Sequence, residues 1–209
     1  MKRSRQKTKY LGTVTSDGIQ RKKLTSIPKS SMDYGDVAVV HRTAQDTGIS
    51  DTINEVYGTD TKNVLVALAC NKLIRETALN NFQSWYDGTY LQKLTPLHNP
   101  SSQNMSRILD ALGEDDTSMA RFFNAWNARV EPKKNIAYDL TSVSSSSEQI
   151  NLLEYGNNRD HDGLPQVNIG LVSSLDAHLP MYFKIFPGSI TDVVTMKNLT
   201  TEIKAMNIQ

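Results

Sequence analysis

Cysteine is almost missing from this chain of 209 residues, where Cys70 stands alone. One thiol makes no intramolecular disulfide and no Cys-x-x-Cys metal knuckle, which excludes disulfide-stapled scaffolds and points to a reducing compartment, expected to be the cytoplasm. Cys70 ends the stretch Val-Leu-Val-Ala-Leu-Ala-Cys, where a buried helical thiol is expected rather than a nucleophile. Histidine is scarce as well. His41, His98, His161 and His178 are dispersed, none falls in an HExxH or other ligand spacing, and no zinc site is expected. The longest apolar run, residues 64–70, falls far short of the roughly 20 residues that span a bilayer. No apolar core follows the basic stretch 2–9, so neither a membrane span nor a secretory signal is expected. GxSxG, Walker and GxGxxG motifs are absent, so a nucleotide-dependent enzyme is not indicated.

Acids are nearly absent from one end of the chain. Residues 1–30 hold nine Lys or Arg against the single acid Asp17, a balance of +8, whereas residues 31–209 hold 14 bases and 21 acids, a balance of −7. The overall charge of +1 conceals this split. Lys2, Arg3, Arg5, Lys7 and Lys9, then Arg21, Lys22, Lys23 and Lys29, are cations of the kind that displace counterions from phosphates. Such a run gives salt-sensitive affinity for double-stranded DNA that is independent of base sequence. A solvated tail without a partner is the alternative. With 38% hydrophobic and 22% charged residues, the composition is that of a globular protein of one or two domains.

From residue 50 to 130 the apolar residues recur at helical spacing. Ser50 or Asp51 is expected to cap a helix carrying Ile53, Val56 and Tyr57, which Gly58 ends. A second helix carries Val64, Leu65, Leu68, Leu73 and Ile74, and a third carries Ala78, Leu79, Phe82, Trp85 and Tyr86 up to Gly88. Ser101 or Ser102 caps a fourth, with Met105, Ile108, Leu109 and Leu112 inward and Gly113 closing it. Met119, Phe122, Phe123, Trp126 and Val130 form a fifth stripe. The outer side of the fourth helix offers Gln103, Asn104, Ser106 and Arg107, so residues 91–113 are either a helix-turn-helix reader of DNA or an ordinary packing helix.

Beyond residue 135 the period changes from helical to alternating. Residues 136–141 read as a strand with Ile136, Tyr138 and Leu140 on one face and Asp139 on the other. An acid is a poor strand former and costly to bury unpaired, so Asp139 is either an edge residue facing water or part of a charged site such as a metal centre. Residues 166–172 read as a second strand, with Val167, Ile169 and Leu171 alternating against Asn168 and Gly170, and residues 180–186 as a third. Pro187, Gly188 and Ser189 signal a turn into a helix over 189–206.

Three ordered segments, YDLTS at 138–142, EYGNNRDHDGLPQVNIGLV at 154–172 and LPMYFKIFPGSITDVVTM at 179–196, together resemble the first half of the catalytic domain of a DDE-type insertion-sequence transposase. SSQNMSRILDALG at 101–113 resembles that family's N-terminal helical region. The resemblance implies an α+β chain: a basic segment at 1–30, a helical DNA-binding region at 31–131, and at 132–209 the first three strands and first helix of a ribonuclease H-like domain. It implies two Mg²⁺ or Mn²⁺ ions held by two aspartates and a glutamate, cleaving phosphodiesters and transferring strands. Asp139 matches the first aspartate, as catalytic residue and metal ligand. The second belongs at the end of a fourth strand and the glutamate on a later helix; Glu154, Asp192 and Glu202 do not stand in those places. A truncated transposase is therefore expected, inactive alone but binding element ends, with a homo-oligomer on DNA. The alternative is a non-catalytic or inhibitory transposase-derived protein. Tyr155 and Arg159 match the family's tyrosine-glycine-arginine-aspartate segment and are expected either against the DNA backbone or in a flexible insertion.

Overall fold

The computed structural model describes residues 13–20, 31–131, 134–156, 163–190 and 195–196. The chain divides into two compact units, Met1–Met32 and Asp33–Gln209. The first contains an antiparallel hairpin of β1 (Thr13–Thr15) and β2 (Gly18–Gln20), with Thr13 opposite Gln20, Val14 opposite Ile19 and Thr15 opposite Gly18. Gly18 closes the turn at φ +111°, a backbone that side chains disfavour.

The second unit is of mixed helix and sheet, hence α+β. Its helices are α1 (Gly35–Asp46), α2 (Ile49–Ile74), α3 (Phe82–Gly88), α4 (Leu91–Leu94), α5 (Ser102–Gly113) and α6 (Asp116–Arg129), with a 3₁₀ turn at Leu79–Asn81. The start expected at Ser50 or Asp51 falls instead at Gly48, whose φ of 79° makes the left-handed turn out of α1. Gly58 interrupts α2 at φ 82° and ψ 169°, and the helix resumes directly beyond it. The break follows the glycine as expected. Ser101 caps α5, its hydroxyl accepting from the Asn104 N–H at 3.4 Å. Asp115 caps α6 by accepting from the Ser118 N–H at 2.9 Å, and the Ser118 side chain and N–H hold its carboxyl below the usual carboxylate range. Leu109, expected inward, is exposed, because Met105 and Ile108 already occupy the side of α5 that meets the core.

Two apolar clusters hold this unit. Val37, Val64, Ala67, Cys70, Phe82, Tyr86, Leu91 and Met105 gather from α1 to α5. Tyr86 satisfies its buried hydroxyl twice, donating to the Thr95 carbonyl at 2.9 Å and accepting from the Leu97 N–H at 3.0 Å. Burial pushes the Cys70 thiol up to about 11, so it stays protonated at neutral pH. The native chain is therefore expected to leave a thiol reagent such as DTNB unconsumed at pH 8 and to release one equivalent of chromophore once unfolded in guanidinium. Rapid reaction of the folded chain would show that Cys70 is not held in this core.

The second cluster joins helix to sheet. Trp126 and Val130, at the end of α6, pack with Val172, Met181 and Phe186 of a three-stranded antiparallel sheet. Its strands are β3 (Ile136–Ser144), β4 (Gln166–Ser174) and β5 (Leu179–Pro187), in the order β3-β4-β5. The helix expected over 189–206 falls mostly outside the described residues; Thr195 and Met196 are helical.

The faces of β4 are the reverse of what hydrophobicity suggests. Gln166, Asn168, Gly170, Val172 and Ser174 are buried, while Val167, Ile169 and Leu171 lie on the more open side. The cause is steric. A side chain at Gly170 would fall 2.9 Å from the Tyr138 ring and 3.1 Å from Phe186, so the missing Cβ is what lets both rings lie against the strand. The Asn168 amide is satisfied there, donating to the carbonyls of Gly188 and Ile190 at 3.2 Å each.

Candidate functional site

Asp139 lies in the middle of β3 and is exposed. Alternation turns its neighbours Tyr138 and Leu140 to the opposite face, where both pack on the second cluster and the Tyr138 hydroxyl bonds to the Thr195 hydroxyl at 2.9 Å. This division of faces is as expected from the sequence. Across the sheet Asp139 stands opposite Leu171, which stands opposite Phe183; the next row is Thr141, Ile169 and Ile185, and the next Val143, Val167 and Pro187. The face carrying Asp139 is thus largely apolar, with Phe183 43% and Ile185 45% exposed. Among the described residues β3 pairs only with β4, so the strand bearing Asp139 is a sheet edge.

Hard divalent ions take six or more oxygen ligands, of which a two-metal centre needs several from carboxylates. No group of three His, Cys, Asp or Glu able to hold an ion occurs among the described residues. Asp139 with Leu171 and Phe183 beside it does not fit two ions by itself.

Glu154 lies elsewhere. It forms a β-bridge with Gln166, five positions along β4 from Leu171, a separation of about 17 Å at the rise of a strand. Its carboxylate accepts from the Ser189 hydroxyl. Tyr155 follows it, 75% exposed, so the structure carries Tyr155 to the far end of β4 from Asp139. The segment is held by close backbone approach. A Cβ on Gly156 would fall 2.0 Å from the Gly188 carbonyl oxygen, and one on Gly188 would fall 2.2 Å from that of Gln166.

Arg107 is exposed on α5 beside Gln103 and Ser106, while Asn104 turns back to donate to the Asn99 carbonyl at 2.9 Å. The region around it is acidic, residues 33–131 holding 8 Lys or Arg against 13 Asp or Glu. A balance of −5 opposes approach of a phosphate backbone. Lys2, Arg3, Arg5, Lys7, Lys9, Arg21, Lys22, Lys23 and Arg159 lie outside the described residues.

Sequence reasoning missed Gln166 and Asn168. Gln166 donates to the Asn168 side-chain oxygen at 3.2 Å and to the Gly188 carbonyl at 3.3 Å, so the two buried amides tie the start of β4 to the exit of β5. Polar residues at alternate positions of an otherwise apolar strand were the available signal. Asp176 anchors the other end, accepting from the Asn135 N–H at 2.8 Å and its side-chain amide at 3.1 Å. The first of these bonds depresses the Asp176 carboxyl from its ordinary value. No helix among the described residues is long and apolar enough to cross a membrane. Comparison with protein-family models, curated proteins and solved structures gives no match to this chain.

Proposed function

We propose that this chain is part of a DDE-type insertion-sequence transposase, a DNA-binding portion in which Asp139 is the first carboxylate of a ribonuclease H-like metal centre. The observation that carries this is the exposed Asp139 in the middle of the first strand of an antiparallel meander, on a strand with one side unpaired among the described residues. A ribonuclease H-like sheet accepts a further strand on that side, and with it the second aspartate. The three sequence segments that resemble the family map onto β3, the approach to β4 with β4 itself, and β5, in that order.

Mg²⁺ or Mn²⁺ in the complete centre would activate a water or a 3′-hydroxyl for attack on a phosphodiester. Asp139 would supply one oxygen ligand to that ion. No group of three ligating side chains occurs among the described residues, and cutting is not assigned to this chain alone. DNA affinity is assigned to residues 1–30, whose +8 contrasts with the −7 of the rest.

The test is fluorescence anisotropy of a labelled duplex with the purified chain, alongside a plasmid-nicking assay with Mg²⁺. Binding is expected to weaken by about a hundredfold between about 50 and about 200 mM salt, as for roughly four phosphate contacts. No nicking is expected. Absent or salt-insensitive binding would sink the DNA-binding reading, and Mg²⁺-dependent nicking that Asp139→Ala abolishes would sink the claim that this chain is inactive alone.

A further inference from the structure

We propose that the hairpin Thr13–Gln20 is a β-ribbon that enters the major groove of duplex DNA, so that the basic segment touches base edges as well as phosphates. This rests on the DNA-binding reading above and adds the element and the groove. The dimensions agree. Two strands about 4.8 Å apart fit a groove about 12 Å wide, and three residues per strand reach about 10 Å, close to the groove's depth of about 8.5 Å.

Among the described residues the ribbon has no third strand beside it. A two-stranded hairpin is marginal in water, and here Val14 is 79% exposed, with Ser16, Asp17 and Gly18 at the turn exposed too. An apolar side chain on such a ribbon suits the thymine methyl group that the major groove presents. Cations bracket the ribbon in the sequence, Lys7 and Lys9 before it and Arg21, Lys22 and Lys23 after it; they lie outside the described residues and enter here as charge alone.

Asp17 decides between the two ways of docking. It is the single acid of residues 1–30 and it sits at the turn. A tip laid across the backbone would set this carboxylate against phosphates of like charge. A tip within the groove faces base edges, among which the cytosine amino group donates to a carboxylate. The α5 helix is the weaker candidate, because it belongs to the acidic stretch of the chain.

The experiment uses the whole chain, a short mixed-sequence duplex, and the variants Val14→Ser, Gly18→Val, Lys22→Ala and Lys23→Ala, with circular dichroism to check that the helical unit is intact. Val14→Ser and Gly18→Val are expected to weaken binding about tenfold without changing its salt dependence. Each lysine variant is expected to lower the salt slope by about one. Methyl green, which occupies the major groove, is expected to displace the chain, and netropsin, which occupies the minor groove, is not. Unchanged binding by both ribbon variants, displacement by netropsin, or tighter binding to single-stranded DNA or RNA overturns the ribbon while the DNA-binding reading stands. Failure of the unsubstituted chain to bind any duplex overturns both.

Discussion

Trp126→Ala is expected to destabilise the Asp33–Gln209 unit by about 3–5 kcal/mol, the range for removing a large buried aromatic side chain. Trp126 is buried at the meeting of α6 with the sheet, packed with Val130, Val172, Met181 and Phe186. Its indole N–H donates to the carbonyl of Pro180 at 2.6 Å, a bond between residues 54 apart in the chain. Pro180 is exposed, so water replaces that bond in the variant and the cavity accounts for most of the loss. Urea unfolding followed by circular dichroism measures the change. The protein has two tryptophans, and the other, Trp85, packs against the helical cluster. In Trp126→Ala the fluorescence of Trp85 therefore reports the helices alone. Its midpoint is expected to fall together with that of the circular dichroism signal, because α6 packs on α2 through the Phe122 and Tyr57 rings, 6.3 Å apart, while its far end holds the sheet. A Trp85 transition that stays in place would mean that the two clusters melt independently.

Gly188→Ala is expected to cost about 3 kcal/mol, the upper part of the range for forcing atoms into a packed site. Its new Cβ would fall 2.2 Å from the carbonyl oxygen of Gln166 and 2.4 Å from that of Glu154. Neither oxygen can yield cheaply. Each accepts the N–H of the other's residue, at 3.1 and 3.0 Å, so moving either opens the bridge between Glu154 and Gln166. The Gly188 carbonyl also accepts from the side chains of Gln166 and Asn168, and its displacement would leave buried amides short of partners. At about 2–4 °C per kcal/mol for a chain of this size, the melting temperature is expected to drop by about 6–12 °C. Gly113→Ala is the control, since no heavy atom lies within 4 Å of the added carbon and its backbone is not left-handed. Equal melting temperatures for the two variants would show that the segment at 154–156 is not clamped against Gly188.

Much of the local structure was legible because it depends on neighbours in the chain. Ser101 caps α5 and Gly58 breaks α2, each for a reason carried by the residue itself, whereas Gly88 is the last residue of α3 and the chain turns extended at Thr89. The three strands appeared where alternation indicated, each extending one to three residues further than its pattern. The cap of α2 was misplaced by the attraction of Ser50 and Asp51, since Gly48 starts the helix with no side-chain cap.

For the candidate site, alternation alone placed Asp139 opposite in sense to Tyr138 and Leu140, because a strand with period two leaves no other choice. Its exposure, its apolar neighbours Leu171 and Phe183, and its place on a sheet edge followed from register and strand order, which no single segment contains. Tyr155 illustrates the same limit, since the bridge from Glu154 to Gln166 carries it to the other end of β4 from Asp139.

By itself, then, the sequence determined the main helices between residues 50 and 130, the strands β3 to β5, the cap of α5, the break at Gly58, the charge division at residue 30 and the side of β3 on which Asp139 emerges, but not α1, α4 or the hairpin of β1 and β2. The tertiary structure alone decided which face of each strand is covered. Two alternating faces are equivalent until something packs on one of them, and in β4 the choice went to the polar face because Gly170 leaves room for the rings of Tyr138 and Phe186. It also decided that helices and sheet share a core, because Trp126 and Val130 reach residues of β4 and β5 that are more than 40 positions away in the chain.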